Sequence, residues 1–248
     1  MNDSATTDPI TERFTHTPEE TCLVDTTRLQ RCDVVWFTPD LLAARGLLTG
    51  SGTGRRPVHF IRHEDEHWVL RHYWRGGLMA RLSSDAYLRT GVQRARPIRE
   101  WRLLSTLYQR GLPVPRPIAA RVRYSGLTWK GDLITEVIPH ACTLFELIQQ
   151  CNDPPAIWEA VGRTLARFHQ AGAWHADLNV RNILVQPNNA VWLIDWDRGR
   201  MNTTRGLKRN LSRLQRSLEK WPETRERGRA GWPDLMRAYR KAQGGQDG

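Results

Sequence analysis

At 248 residues the chain is long enough for one large domain or two modest lobes, with a core that needs no disulfides, and its 40% apolar and 25% charged residues fit a soluble globular protein. No apolar run approaches the roughly 20 residues of a membrane-spanning helix, and the opening MNDSATTDPITERFTHTPEE is polar and acidic where a secretory signal is basic and then hydrophobic, so the cytosol is the expected compartment. A net charge of +11 and a pI near 10.2 point to an anionic partner of unspecified kind.

The first forty residues are net acidic and show no clear period, so residues 1–40 are expected to be a weakly structured segment. After them, Leu47, Val58 to Ile61 and Trp68 to Tyr73 read as a meander of antiparallel strands. The glycine-rich stretch GSGTG, Gly50 to Gly54, and the acidic turn at HEDE join them. From Ile98 to Gln109, Trp101, Leu104, Leu107 and Tyr108 recur with a helical period that Gly111 closes. The prolines of GLPVPRPIAA then impose an extended path into another strand. DLITEVIPH is a short buried strand that stops at Pro139.

Beyond that point the pattern turns helical, over Leu144 to Gln150 and Ile157 to Ala171. Two short strands, Ile183 to Val185 and Val191 to Ile194, enclose the turn QPNNA. A leucine stripe at Leu207, Leu211, Leu214 and Leu218 marks a closing amphipathic helix, read as core rather than membrane contact. The expectation is an α+β fold of two lobes, residues 41–138 and 139–243, with a ligand cleft between them and a flexible tail at 244–248. The four cysteines show no C-x-x-C or metal-type spacing and are expected to be reduced.

Chemistry concentrates in HADLNVRNILVQPNNAVWLIDWDRG. Asp177 is followed five residues later by Asn182, and Asp195 comes thirteen residues after that, at the end of an apolar strand. Phosphoryl transfer needs a carboxylate to orient an acceptor hydroxyl and take its proton, and oxygen ligands for the Mg²⁺ that neutralises the phosphates. The run resembles the protein-kinase catalytic loop H-R-D-x-x-x-x-N, with Asp195 at the aspartate of D-F-G. By that resemblance Asp177 is the catalytic base, Asn182 and Asp195 bind Mg²⁺, and His175 braces the loop.

The same template, applied upstream, takes Gly52 and Gly54 as phosphate-contacting glycines. It takes Arg71 of WVLRHY for the usual strand lysine and Glu100 as its helix partner. Three departures bear on the acceptor. Asn179 stands two residues after the base, where many protein kinases have lysine; DWD replaces D-F-G; and no A-P-E or long activation segment follows, so a peptide-docking platform is not expected. Arg181 reads either as a guide for an anionic acceptor or as an ordinary surface arginine.

Taken together, VLRHYWRGGLMARLSSDAYL, REWRLLSTLYQRGLPVPRPIAA, GAWHADLNVRNILV and LIDWDRGR resemble the lipopolysaccharide kinase family, the group that includes the 3-deoxy-D-manno-octulosonic acid (Kdo) kinases of Gram-negative bacteria. The resemblance implies a protein-kinase-like bilobal fold with an antiparallel-sheet N-lobe carrying one main helix and a mostly helical C-lobe. It further implies ATP and Mg²⁺ as cofactors, the 4-hydroxyl of Kdo on a lipid A precursor as acceptor, and a peripheral position on the cytoplasmic face of the inner membrane.

The charge distribution agrees with an anionic surface as partner: from Arg198 onward fourteen Lys/Arg stand against five Asp/Glu, each contributing about 1 kcal/mol beside anionic lipid. Arg75 with Gly76 and Gly77 reads as an anion-contacting turn, and Trp74 and Leu78 as packing residues. Two other readings stay open at this point. One is a sugar or aminoglycoside-type kinase, although an Arg-rich site suits a cationic substrate poorly. The other is a non-catalytic kinase-like module that grips an anionic partner; no nucleic-acid recognition motif accompanies the basic charge, so nucleic acid is not expected.

Overall fold

The computed structural model describes residues 8–52, 57–73, 87–88, 91–126, 128–150, 154–203 and 206–244. The chain divides into two units. One comprises the chain up to Gln109 together with Pro115–Val137; the other comprises Arg110–Val114 together with the chain from Ile138 onward.

The first unit is built on an antiparallel sheet. Its strands are β1 (Glu12–His16), β2 (Glu20–Asp25), β3 (Leu48–Gly52), β4 (Val58–His63), β5 (Glu66–His72), β6 (Tyr87–Leu88), β7 (Pro117–Ser125) and β8 (Thr128–Glu136). They run in the order β1-β2-β7-β8-β5-β4-β3, with β6 also paired to β8. A short helix α1 (Pro39–Ala44) and the longer α2 (Arg96–Gln109) also belong to the unit. The period-two alternation of β5 decides where its chemistry goes. Trp68 and Leu70 are buried in a core with Phe37, Leu42, Ile61 and Ile134. Arg71, the next residue after Leu70, therefore falls on the opposite face and reaches Glu100 of α2, a helix whose Ile98, Trp101, Leu104 and Leu107 are buried.

From residue 8 onward the acidic opening segment is structured, contrary to the expectation from its composition. β2 is paired residue for residue with β7, Thr21 opposite Val122 and Leu23 opposite Ala120, and is buried along nearly its whole length. A strand buried on both faces lacks the alternation that would have announced it. Its terminal Asp25 is fully buried because Arg116, 91 residues later, pairs with it at 2.7 Å. The expectation of reduced cysteines also needs correction for one pair. Cys22 on β2 and Cys32 form a disulfide, their Cα atoms brought to 6.3 Å, within the span such a bridge requires. Cys142 carries a free thiol, and Cys151 lies outside the described residues.

The second unit contains β9 (Cys142–Thr143), α3 (Leu144–Gln149), α4 (Pro155–Gln170), β10 (Ile183–Val185), β11 (Val191–Leu193), α5 (Leu207–Lys220) and α6 (Pro222–Gly244). Thr143 starts α3 with a reciprocal capping box: its hydroxyl takes the Glu146 N–H, and the Glu146 carboxylate takes the Thr143 N–H. The strands form a small sheet in the order β11-β10-β9. α4 packs tightly on α6 through glycine. A Cβ at Gly162 would stand 2.2 Å from the Leu235 carbonyl oxygen, and one at Gly231 would stand 2.2 Å from the Trp158 ring. The class is α+β, with a sheet and one long helix in the first unit and helices dominating the second.

Candidate active site

The β10–β11 hairpin creates the first part of the site. Because Ile183 pairs with Leu193, the residue before β10 and the residues after β11 come out at the same end. The Ile194 N–H donates to the Asn182 carbonyl at 3.1 Å, placing Asp195 one residue further on. Asp195 has φ +62°, a left-handed conformation that aspartate tolerates better than most residues. Trp196 is buried beside it, its ring 4.7 Å from that of His175 and 5.2 Å from that of Phe168. An apolar anchor thus follows Asp195 directly.

The loop before β10 is held to this hairpin by amides and an imidazole. Asn182 Nδ2 donates to the Asp177 carbonyl at 2.9 Å, and Asn179 Nδ2 donates to the same oxygen at 2.9 Å. His175 bridges the two halves: its Nδ1 lies 3.1 Å from the Asp177 N–H and its Nε2 lies 2.9 Å from the Ile194 carbonyl. Those partners require Nδ1 to accept and Nε2–H to donate, which is the neutral tautomer. Burial pushes the His175 imidazole below its ordinary value, against the pull of the Ile194 carbonyl and of the Asp195 and Asp177 charges. The ring is therefore a fixed brace rather than a proton carrier.

The orientation of Asn182 matters for a cation. With Nδ2 committed to the Asp177 carbonyl, its Oδ1 is the end left to act as a ligand. An amide oxygen and the Asp195 carboxylate are hard oxygen donors, the few-ligand set that Mg²⁺ takes alongside substrate phosphates and water. Asn182 and Asp195 fit such an ion.

A layer that the sequence did not announce comes from α5. Asn210 Nδ2 donates to the His175 carbonyl at 2.6 Å, and its Oδ1 accepts from the His175 N–H at 3.2 Å. Ser217 Oγ accepts from the Val180 N–H at 3.1 Å. Between them Arg213 Nη1 lies 2.6 Å from Asp177 Oδ1, with both side chains about half exposed. An ion pair in that setting stabilises little. The one local hint was an asparagine within a leucine-striped helix, where asparagine is a poor interior residue. Arg181 is neither in the hairpin nor ion-paired with a carboxylate among the described residues: its guanidinium lies 3.9 Å from the centre of the Phe145 ring and 5.2 Å from that of Trp221.

The first unit holds the other residues expected from the sequence. Arg71 Nη2 lies 2.5 Å from Glu100 Oε1, and Tyr73 Oη donates to the other carboxylate oxygen of this buried glutamate. Gly52 is not in a free loop as expected. It closes β3, paired with Val58, whose Cγ2 would be 2.8 Å from a Cβ at this position, so a larger residue here would have to displace the Val58 side chain. Gly54 and Arg75, with Trp74 and Leu78, lie outside the described residues.

Residues 40–239 match the Lipopolysaccharide kinase (Kdo/WaaP) family. The 3-deoxy-D-manno-octulosonic acid kinase of Xanthomonas axonopodis pv. citri is 42% identical over 226 residues, 90% of this chain and 90% of that protein. The enzyme of the same name from Photobacterium profundum is 41% identical over 200 residues, 75% of this chain and 85% of that one. A solved structure of WbdD with the kinase inhibitor LY294002 aligns over 79% of this chain and 45% of its own at a TM-score of 0.45 and 15% identity, too distant to bear on the site.

Proposed function

The chain belongs to the lipopolysaccharide kinase (Kdo/WaaP) family, and from that premise we propose that it transfers the γ-phosphoryl group of ATP to the 4-hydroxyl of the Kdo sugar on Kdo-lipid IVA, at the cytoplasmic face of the inner membrane. It is an ATP-dependent phosphotransferase with an alcohol as acceptor. The finer assignment draws support from its relatives' names, from the basic charge of the chain, and from the loop of Asp177.

In this reading Asp177 orients the acceptor hydroxyl and takes its proton as the oxygen bonds to the γ-phosphorus, with ADP leaving. His175, Asn179 and Asn182 keep the Asp177 backbone still, so that the residue bearing the carboxylate is in place before the acceptor arrives. Asn182 and Asp195 are the residues that would hold Mg²⁺, which supplies charge neutralisation of the phosphates when bound. Arg71, fixed by Glu100, is assigned to the nucleotide phosphates in place of the usual lysine.

The observation that carries the proposal is the closed hydrogen-bond framework linking His175, Asp177, Asn182 and Ile194. Its test is incubation of the purified protein with ATP, Mg²⁺ and Kdo-lipid IVA, followed by product mass and phosphorus NMR. A monophosphorylated product with the phosphate on the Kdo 4-oxygen is expected. Unmodified acceptor, or phosphate on another sugar, would overturn the assignment.

A further inference from the structure

α5 has two opposed faces. Leu211, Leu214 and Leu218 are buried, and on the other side Arg209, Arg213, Arg216 and Lys220 recur at intervals of four, three and four residues, which keeps them on one stripe. A basic stripe on an exposed helix is ordinarily just solvated surface. Three observations separate this one from that default.

Arg213, Arg216 and Lys220 line a pocket of 440 Å³ whose wall includes Asp177, Arg181 and Trp221. Four cations therefore share one pocket with a single carboxylate among the described residues, an arrangement whose mutual repulsion an incoming anion relieves. Two of the cations rest on aromatic faces instead of carboxylates: Arg181 over Phe145 and Trp221, and Lys220 4.9 Å from the centre of the Trp221 ring. The stripe is also held in register with Asp177, because Ser217 and Asn210 bond α5 to the backbone at Val180 and His175.

We infer that this pocket is the acceptor site and that Arg213, Arg216, Lys220 and Arg181 receive the carboxylate of the acceptor sugar. The inference rests on the proposed function and adds to it the group that is recognised and the residues that recognise it. The carboxylate is the anion chosen because it sits on the same sugar ring as the reacting hydroxyl, and Asp177 is part of the pocket wall. Lipid phosphates belong to a different sugar. Arg213 exchanges partners on binding: it leaves Asp177 Oδ1 for the acceptor carboxylate, and the freed oxygen takes the hydroxyl. An exposed pair gives way readily to such an exchange.

The test uses three acceptors, Kdo-lipid IVA, its Kdo methyl ester, and its lipid-dephosphorylated form, with the wild-type chain and with Arg213→Gln, Arg216→Gln and Lys220→Gln. Esterification is expected to lower wild-type kcat/KM about tenfold or more, the scale of a lost charge-assisted contact. In each variant the acceptor KM rises, the KM for ATP does not follow it, and the preference for acid over ester shrinks toward one. Arg216→Lys, which keeps the charge, retains much of that preference. Equal use of acid and ester by the wild type, or an undiminished preference in all variants, overturns the inference. A loss caused only by removing the lipid phosphates assigns the cations to the lipid and also overturns it. A wild-type chain that modifies none of the three acceptors fails earlier, and takes the proposed function down as well.

Discussion

Asn210 grips the peptide groups on both sides of His175, donating to its carbonyl at 2.6 Å and accepting from its N–H at 3.2 Å, across 35 residues of sequence. Both contacts are buried, so no water replaces them when the amide is removed. Asn210→Ala should destabilise the protein by about 2–4 kcal/mol, the scale of leaving two buried backbone groups unpaired. Asn210→Asp, which retains only the acceptor, should fall between. Urea denaturation with a fixed m-value checks both, and a loss below about 0.5 kcal/mol would mean that the loop is held some other way.

The Asp177 carboxylate is exposed, and among the described residues its ion-pair partner is Arg213, so its substitution separates chemistry from folding. Asp177→Asn should lower kcat by about 10²-fold or more while leaving stability within about 0.5 kcal/mol. Single-turnover phosphoryl transfer alongside thermal denaturation measures the two effects. Retained activity would remove Asp177 from the mechanism.

Burial lowers the pKa of His175, and it does the same to His169, where burial outweighs the Asn210 hydrogen bond. The unfolded chain therefore binds protons that the folded one refuses. Stability from these groups is fully present above the ordinary histidine value of 6.5 and is lost as pH falls below it toward the lowered folded values. Each contributes up to about 1.4 kcal/mol per pH unit within that window. Unfolding free energies between pH 7.5 and 5 should show the decline, and His175→Gln should flatten it. An unchanged slope in the variant would show that other groups set it.

Glycine at position 162 is dictated by packing rather than by helix preference. Intrinsic propensity favours Ala over Gly by about 1 kcal/mol, yet a Cβ there would meet the Leu235 carbonyl oxygen at 2.2 Å and the Tyr239 nitrogen at 3.1 Å. Backbone atoms cannot swing aside as a side chain would. Gly162→Ala should thus destabilise by about 1–3 kcal/mol; a gain in stability would show that α4 and α6 can separate freely.

Arg71→Lys keeps a cation but loses the planar fork that reaches Glu100 at 2.5 Å. A rise of about tenfold in the KM for ATP is expected, with acceptor KM changing less. Equal kinetics for the two side chains would show that the guanidinium geometry is unused.

What the sequence determined by itself is what lies close along the chain or repeats with a simple period. Asp177, Asn182 and Asp195 are joined by one loop and one hairpin, so their spacing already implied the contact between Asn182 and the residues after β11. The alternation of β5 likewise aimed Arg71 away from Trp68 and Leu70, and the leucines of α5 declared its buried face. Tertiary structure decided the rest. β2 was hidden because a strand buried on both faces has no alternation, and because Arg116 neutralises Asp25 from 91 residues away. Asn210, Arg213 and Ser217 gained their partners only when α5 docked, since a helical period says which residues share a face but not what that face meets. A buried polar contact depends on where two segments come to rest against each other, and that is settled by the packing of the whole unit.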